Sequence, residues 1–371
     1  MYPEALRAPR DRWIVPATQP RPAARRPRYL DATRGLFILL MISSHAITLA
    51  GVAAASFLQS TWWLPRGWST AGFVMLAGFS VGVMTTRSQG LAPRAILKRA
   101  WHLLIVMVAS NAILAVCREL VRGDAANFRD TTWIVHVITF QRDVTISGAL
   151  FPIAAGLIII AGLLAVSRRI RPAVLGLALV TLNVVAWIAQ DGLAAGAGLP
   201  AGTQGWIALW LFSFPLVPLA FGAVTGFAIG STWRSLAETI QIHSGIVGPL
   251  VLVSLVAMAP YSMLAPRPLF LTLNGAVQFG TILVLALSLA ALKPLSAISN
   301  LLALLGRFSL MVFVLHRPLL HAADLCSRGL HLPAEARYLV MLIAGLGGSA
   351  TLCLARQESV TLNRAMKRVL L

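Results

Sequence analysis

Long apolar runs, separated by short polar segments, dominate the chain from residue 30 onward. Each run approaches the ~20 residues that an α-helix needs to cross the hydrocarbon core of a bilayer. The pattern predicts an all-α, polytopic integral membrane protein with about ten transmembrane helices. The predicted helices lie near residues 30–51, 69–86, 100–118, 144–166, 172–190, 206–230, 244–260, 269–291, 299–320 and 336–355.

Glycines at four-residue spacing mark two of these helices as packing faces. Gly222, Gly226 and Gly230 recur in the sixth helix, and this spacing lets a neighbouring helix approach closely. Gly78 and Gly82 have the same spacing in the second helix. The segment between them matches the pattern of a hydrolase nucleophile elbow, but that motif needs a strand, a turn and a helix. We therefore interpret both sets as helix-packing glycines.

The basic residues predict how the helices are oriented. The chain has 31 Lys and Arg against 12 Asp and Glu, a formal net charge of +19. They are scattered between apolar runs rather than gathered on one polar face, so no nucleic-acid partner is expected. Roughly 20 of them fall in segments on the side of the amino terminus, and the positive-inside tendency then places both termini in the cytoplasm.

The predicted domain organisation is simple. Residues 1–29 are rich in Arg and Pro and form a disordered basic cytoplasmic tail. Residues 30–355 form the transmembrane domain, whose first helix is expected to remain as an uncleaved anchor. Residues 356–371 form a second basic tail.

Polar groups inside three apolar runs are the candidate functional residues. Such groups cost free energy in lipid, so they usually face a cavity or a partner. The first, third and ninth helices contain, in order, Asp31, Arg34 and His45; Lys98, Arg99 and His102; and Arg307, Ser309 and His316. The sequence has no phosphate-binding glycine loop, dinucleotide fingerprint or paired-His zinc motif, so no metal site is predicted.

Depth along each helix suggests a graded column of charge. At ~1.5 Å per residue, His45 lies about 16 Å beyond Arg34, near the bilayer centre. Arg99 then lies at the cytoplasmic surface, Arg307 roughly 12 Å inside it and His316 in the outer half. If the helices adjoin, cations line the cytoplasmic mouth, one histidine lies at mid-depth and another lies toward the outside.

Each of these residues also has an ordinary interpretation. Asp31 and Arg34 match an ion pair at i, i+3, Lys98 and Arg99 match cytoplasmic anchors, and a histidine can bond a neighbouring helix. A column of intramembrane His and Arg is also typical of proton-coupled transporters.

Two segments carry a family resemblance. The first helix, LDATRGLFILLMISSHA, has LD-x-x-RG, an apolar run and a His eleven residues after the Arg; the ninth, LGRFSLMVFVLHRPLL, has LG-x-x-S and ends in a His and a Pro. Both resemble the transmembrane acyltransferase superfamily of acyltransferase family 3, the periplasmic-glucan succinyltransferases and the heparan-glucosaminide N-acetyltransferases. AGFVMLAGFSVG resembles the second-helix pattern. The third helix departs from the family pattern at one position. The family's Arg-x-x-Arg corresponds here to Arg99 and His102, so the second arginine is replaced by histidine.

The resemblance implies an acyl-CoA-dependent O- or N-acyltransferase of the bacterial inner membrane. An acetyl or succinyl group would pass from cytoplasmic acyl-CoA, the co-substrate, to a hydroxyl or amine of a periplasmic or cell-surface glycan. His45 would be the general base or a transient acyl carrier, and His316 would orient the acceptor or relay a proton. The residues implied in acyl-CoA binding are Arg34, Lys98, Arg99, His102 and Arg307. Asp31 and Ser309 would have orienting roles.

Overall fold

The structure is a computed structural model that describes residues 28–53, 68–87, 92–122, 150–166, 216–242, 280–285 and 296–359, with isolated positions near 174–181, 287 and 361–364. These ranges are helical and contain no strand. Eight long helices are described within them. They are α1 (Arg28–Ala50), α2 (Trp68–Arg87), α3 (Pro93–Arg122), α4 (Leu150–Val166), α5 (Leu216–Ile242), α6 (Ser296–Arg307), α7 (Ser309–Gly329) and α8 (Ala334–Glu358).

Several helices are long and apolar enough to cross a membrane. Three meet this criterion by length and composition, namely Arg28–Ala50, Pro93–Cys117 and Ala334–Glu358, and α6 with α7 makes a fourth if the bent pair is one span. An all-helical membrane protein is therefore supported. The count of ten spans and the cytoplasmic termini stay predictions. The predicted helices 172–190 and 244–260, most of 269–291 and most of both tails lie outside the described residues.

Helix boundaries differ where polar sequence continues a helix beyond its apolar run. The predictions 30–51, 69–86 and 336–355 agree with α1, α2 and α8 to within a few residues. The third helix instead begins at Pro93, and α5 continues to Ile242 rather than ending near residue 230. The extension of α5, STWRSLAETIQI, contains one each of Arg, Leu, Ala, Glu and Gln, which favour helix, and no Pro or Gly. Hydropathy identifies only the part of a helix that suits lipid.

The predicted ninth helix is wrong as one continuous helix. Residues 299–320 were expected to be continuous, but α6 and α7 meet at Phe308 with a bend of 90°. His316 therefore lies about two turns into α7 rather than far along one straight helix. Its depth in the membrane relative to His45 stays a prediction. Close packing accompanies the break, because a Cβ on Gly306 would overlap the Asp31 carbonyl of α1.

The glycines of α5 are confirmed as a packing face. A Cβ on Gly226 would overlap the carbonyl oxygen of Met75, and one on Gly230 would overlap that of Phe79. The backbones of α2 and α5 are therefore in contact. Gly222 is less constrained, because its Cβ would lie 3.5 Å from the Met75 side chain, an ordinary van der Waals distance.

The glycines of α2 form the matching face. A Cβ on Gly78 or Gly82 would overlap the carbonyls of Ala223 and Phe227, respectively. Between these glycines, Ser80 lies in the middle of a regular helix and donates a hydrogen bond to a backbone carbonyl one turn earlier. The interpretation of this segment as a packing face, rather than a nucleophile elbow, is confirmed.

The central helix is α1, which contacts α2, α6, α7 and α8. Its side chains Phe37, Ile38 and Ile42 are fully buried. By contrast, α3 and α8 expose large apolar side chains such as Trp101 and Ile343, as expected of faces that meet lipid. The helix that contains both Arg34 and His45 is therefore enclosed by protein.

Candidate functional site

Two histidines from different helices stack against each other. The ring centroids of His45 on α1 and His316 on α7 lie 5.4 Å apart, and the ring planes are 20° from parallel. His316 is buried, and its Nδ1 lies 3.1 Å from the Val312 carbonyl one turn earlier. A carbonyl oxygen only accepts, so Nδ1 carries the proton and Nε2 keeps its lone pair. That Nε2 is buried without a hydrogen-bond partner, and it is ready to accept a proton or a hydrogen bond.

An arginine completes this group, which we call the histidine centre (His45, His316 and Arg317). Nη2 of Arg317 lies 3.3 Å from Nδ1 and 3.4 Å from Nε2 of His45. If Nη2 were aligned with the lone pair of one ring nitrogen, it would lie much farther from the other nitrogen. The two nearly equal distances therefore place Nη2 above the ring, over its N–C–N edge. Arg317 thus does not occupy the position in the ring plane beside either nitrogen. Pro318 follows directly and removes the N–H that would bond the carbonyl of residue 314.

Aromatic rings separate the histidine centre from the start of α1. Phe313 meets His316 edge to face at 5.9 Å between centroids. Phe73 of α2 contacts Phe313 at 6.3 Å and Phe37 of α1 at 5.7 Å. This run of rings places apolar surface between the histidines and Arg34.

Arg34 is held in place by two partners. Its Nη1 donates to Oδ1 of Asp31 at 2.9 Å, and its Nη2 donates to Oγ of Ser80 at 2.9 Å. The predicted ion pair between Asp31 and Arg34 is present, so Asp31 orients the guanidinium. Arg34 is 8% exposed and lies eleven residues, about 16 Å, before His45 on the same helix. It is therefore too far from the histidines to share one reacting atom with them.

The basic residues of α3 lie at its surface. Lys98 and Arg99 are exposed, whereas His102 is partly buried and its Nε2 has no hydrogen-bond partner. Farther along α3, Val106 and Met107 belong to an apolar cluster that also contains side chains of α4 and α7. The amino-terminal part of α3 thus presents its cations beside the bundle rather than inside it.

Arg307 and Ser309 flank the break between α6 and α7. Arg307 is exposed, with its guanidinium carbon 5.7 Å from the centroid of the Phe308 ring. Ser309 is the first residue of α7, and no side chain caps that helix. The structure brings His45 and His316 together, and Arg34 together with Asp31. No described contact joins Lys98 or Arg307 to the histidine centre.

Four polar contacts stabilise the opposite end of the bundle. The buried carboxylate of Asp324 pairs with Arg337 and with Arg328. Arg337 also donates to the Leu49 carbonyl of α1 at 3.4 Å. The Tyr338 hydroxyl forms a hydrogen bond of 2.9 Å with Ser43, two residues before His45. These bonds join α1, α7 and α8 and fix the position of the histidine centre.

Sequence reasoning missed Arg317, Arg356 and the Asp324–Arg337 pair. Arg317 carried a usable signal, because it is an ionisable residue inside an apolar run directly after a candidate histidine. Asp324 and Arg337 lie beyond the predicted end of one helix and at the predicted start of the next. At helix ends, charged residues are also expected at the membrane surface. Only the tertiary contact shows that Asp324 and Arg337 form a buried ion pair instead.

The sequence is similar to one known family. The model of a family described as an acyltransferase domain matches residues 28–355. This range runs from α1 to near the end of α8 and includes the histidine centre. No curated protein and no solved structure shows significant similarity to the chain.

Proposed function

The chain belongs to acyltransferase family 3, and we propose that it passes an acetyl or succinyl group from cytoplasmic acyl-CoA to a hydroxyl or amine of a periplasmic or cell-surface glycan. The family and the apolar helices make it a membrane acyltransferase. The donor, the acceptor and a place in the bacterial inner membrane are our proposal. The observation that carries it is the stacked pair of His45 and His316 in the middle of the bundle.

The chemistry that we propose at this pair is general-base acyl transfer. His45 accepts the proton of the acceptor's hydroxyl or amine as that oxygen or nitrogen attacks the thioester carbon. The C–S bond then breaks, and the leaving thiolate takes the proton back from His45 to give free coenzyme A. In an alternative order, one ring nitrogen of His45 attacks the thioester carbon, the C–S bond breaks, and the thiolate leaves with the proton of the other ring nitrogen. The acceptor's oxygen or nitrogen then displaces the imidazole from the acyl group and gives its proton to the ring.

The neighbours of His45 have supporting roles in this proposal. The free lone pair on Nε2 of His316 accepts a hydrogen bond from the acceptor and so orients it. Arg317 is a cation beside the same ring, where a carbonyl oxygen becomes negative during the attack. A fixed positive charge in a dry site stabilises that oxygen.

We assign the binding of the donor's phosphates to cations near the start of α1 and α3 and at the end of α6. Arg34, which Asp31 holds in place, lies at the beginning of α1. Lys98, Arg99, His102 and Arg307 lie near the ends of α3 and α6. Arginine binds phosphate through its planar fork of donors. With both termini in the cytoplasm, these groups would face the cytoplasmic pool of acyl-CoA.

The test is acyl transfer by purified protein in liposomes, measured as free thiol released from acetyl-CoA or succinyl-CoA with a glycan acceptor. We expect His45→Gln to lower turnover by about 10² to 10⁴-fold, because Gln retains hydrogen bonding but is not a base. His331→Asn is the matched control, since His331 is exposed with a φ of 52° and Asn tolerates that backbone conformation.

Three results would contradict the proposal in different ways. Turnover by His45→Gln close to that of the unaltered protein would remove the catalytic role of His45. Transfer to water alone, with every glycan tested inert, would remove the proposed acceptor. Uptake of a solute driven by a proton gradient, without thiol release, would favour the transporter.

A further inference from the structure

Two arginines surround one aromatic ring at the bend between α6 and α7. The guanidinium carbon of Arg356, near the end of α8, lies 4.9 Å from the centroid of the Phe308 ring, and that of Arg307 lies 5.7 Å from it. We call this group the elbow (Arg307, Phe308, Arg356 and the first turn of α7). Two like charges around one ring repel each other, and a cation–π contact compensates each by only ~0.5–2 kcal/mol.

Arg356 is buried, and no acidic side chain among the described residues pairs with it. It is 7% exposed, its Nε has no hydrogen-bond partner, and its Nη1 reaches only the sulfur of Met311 at 4.0 Å. The ion pairs of the described residues involve neither Arg356 nor Arg307. Asp31, whose carbonyl lies against Gly306, is already paired with Arg34. A buried cation without a counter-charge is costly, so an anion bound at the elbow would stabilise Arg356.

The helix that starts at the elbow adds to its positive potential. α7 is 21 residues long, and no side chain caps its first turn. The first N–H groups of a helix have no partner within it, and together with the helix dipole they attract anions. The last carbonyls of α6 point along a different axis, because the two helices are bent by 90°. The guanidinium of Arg356 lies beside the ring of Phe308, the residue that directly precedes the first amides of α7.

We propose that the elbow binds a phosphate group, held by the guanidinium of Arg356 and the first-turn amides of α7, with Arg307 at the rim. A phosphate matches this geometry because its several oxygens accept both a planar guanidinium fork and backbone N–H groups. Its source is either a phosphate of coenzyme A or the headgroup of an anionic lipid. The first source rests on the proposed function, in which acyl-CoA is the donor.

The experiment measures thermal unfolding in dodecyl maltoside, a detergent without phosphate, with two probes added separately. Free coenzyme A is one probe and phosphatidylglycerol in mixed micelles is the other. A ligand that binds the folded protein raises its midpoint in proportion to the logarithm of ligand concentration over Kd. Arg356→Met fills a similar volume without charge, and Arg356→Lys retains charge without the fork. Arg94→Met is the matched control, because Arg94 is exposed at the start of α3.

We expect the probe that fits the elbow to raise the midpoint of the unaltered protein and of Arg94→Met, and to bind Arg356→Met at least ~10-fold more weakly. Arg356→Lys should be intermediate. Without a probe, Arg356→Met should be as stable as the unaltered protein or more stable, because it removes an uncompensated buried charge. A purely structural arginine would give the opposite result, a loss of stability with an unchanged response to both probes.

The outcomes distinguish coenzyme A from an anionic lipid as the source of the phosphate. They also distinguish a phosphate-binding Arg356 from a purely structural one. A response to coenzyme A that needs Arg356 identifies the donor, and one to phosphatidylglycerol identifies a lipid site. Equal responses of Arg356→Met and Arg94→Met to both probes would overturn the proposal. If Arg356→Met does not fold, a response of Arg356→Lys equal to that of the unaltered protein would overturn it. Free coenzyme A carries no acyl group, so binding is measured whether or not the protein transfers one.

Discussion

At the scale of single residues, the two histidines of the histidine centre are not equivalent. His316 has its Nδ1 proton engaged by the Val312 carbonyl, so its protonated nitrogen is set by its own helix. His45 has no such backbone bond among the described contacts, and the cation of Arg317 lies across its ring instead. A ring that is held less tightly can exchange a proton or an acyl group, whereas a fixed ring orients a partner. This asymmetry supports His45 as the reacting group.

Arg317 provides a test of the charge beside His45. We expect Arg317→Gln to lower kcat by about 10²-fold or more, the usual loss when one stabilising donor is removed. The KM for acyl-CoA should change little, because the contact strengthens only as the carbonyl oxygen becomes negative. Arg317→Lys should retain part of the rate. Steady-state kinetics of thiol release measure both parameters.

Arg328→Gln is the control for this prediction, since Arg328 also lies on α7 but is mostly exposed at its far end. A rise in KM for acyl-CoA with kcat unchanged would instead identify Arg317 as a donor-binding residue. A large loss of thermal stability together with kcat would indicate that Arg317 only holds α1 and α7 together.

At the scale of helices, the contact between α2 and α5 depends on missing side chains. Gly226→Ala places a Cβ against the backbone of Met75, which cannot move aside as a flexible side chain does. We expect the free energy of unfolding to fall by about 1–3 kcal/mol, the usual cost of overpacking. Denaturation of the purified protein in mild detergent measures the change.

Gly222→Ala is a control in the same helix, one turn earlier. Its Cβ would lie 3.5 Å from the Met75 side chain, so we expect little change in stability. Equal losses for the two substitutions would show that helix propensity and flexibility, rather than backbone contact, determine the effect.

The bend at Phe308 shows why the position of a residue along a predicted helix is a poor measure of its depth in the membrane. A run of apolar residues has the same hydropathy whether the helix is straight or bent. The predicted helix 299–320 is a largely apolar run with Gly306 and Arg307 near its middle. In the fold, Gly306 lies against α1 and the chain turns directly afterwards. The bend places His316 beside His45, and it also creates the elbow.

At the scale of the whole molecule, the cations at the start of α1, at the elbow and on α3 make one end of the bundle basic. The opposite end is joined by Asp324 and its two arginines. The proposed donor enters at the basic end and the proposed acceptor reaches the histidines from the other. Orientation in the membrane is therefore the property on which the whole mechanism depends.

Reporter fusions at residue 371 test this orientation. We expect a cytoplasm-active reporter to function there and a periplasm-only reporter to be silent, because the basic segments predict a cytoplasmic carboxyl terminus. The same pair of reporters fused after residue 331, in the turn between α7 and α8, should give the reverse result. Periplasmic activity at residue 371 would contradict either the count of ten helices or their direction.

The sequence by itself determined the class of protein, the family and the packing faces of two helices. Apolar length, charge bias and four-residue glycine spacing are local properties of the chain, so the membrane helices and the faces of α2 and α5 can be derived from them. The tertiary structure decided how these residues are grouped. The stacking of His45 on His316, the place of Arg317 across the ring and the meeting of Arg356 with Phe308 join positions that are far apart in sequence. No periodicity encodes such contacts, because they depend on which helices adjoin and where one of them bends.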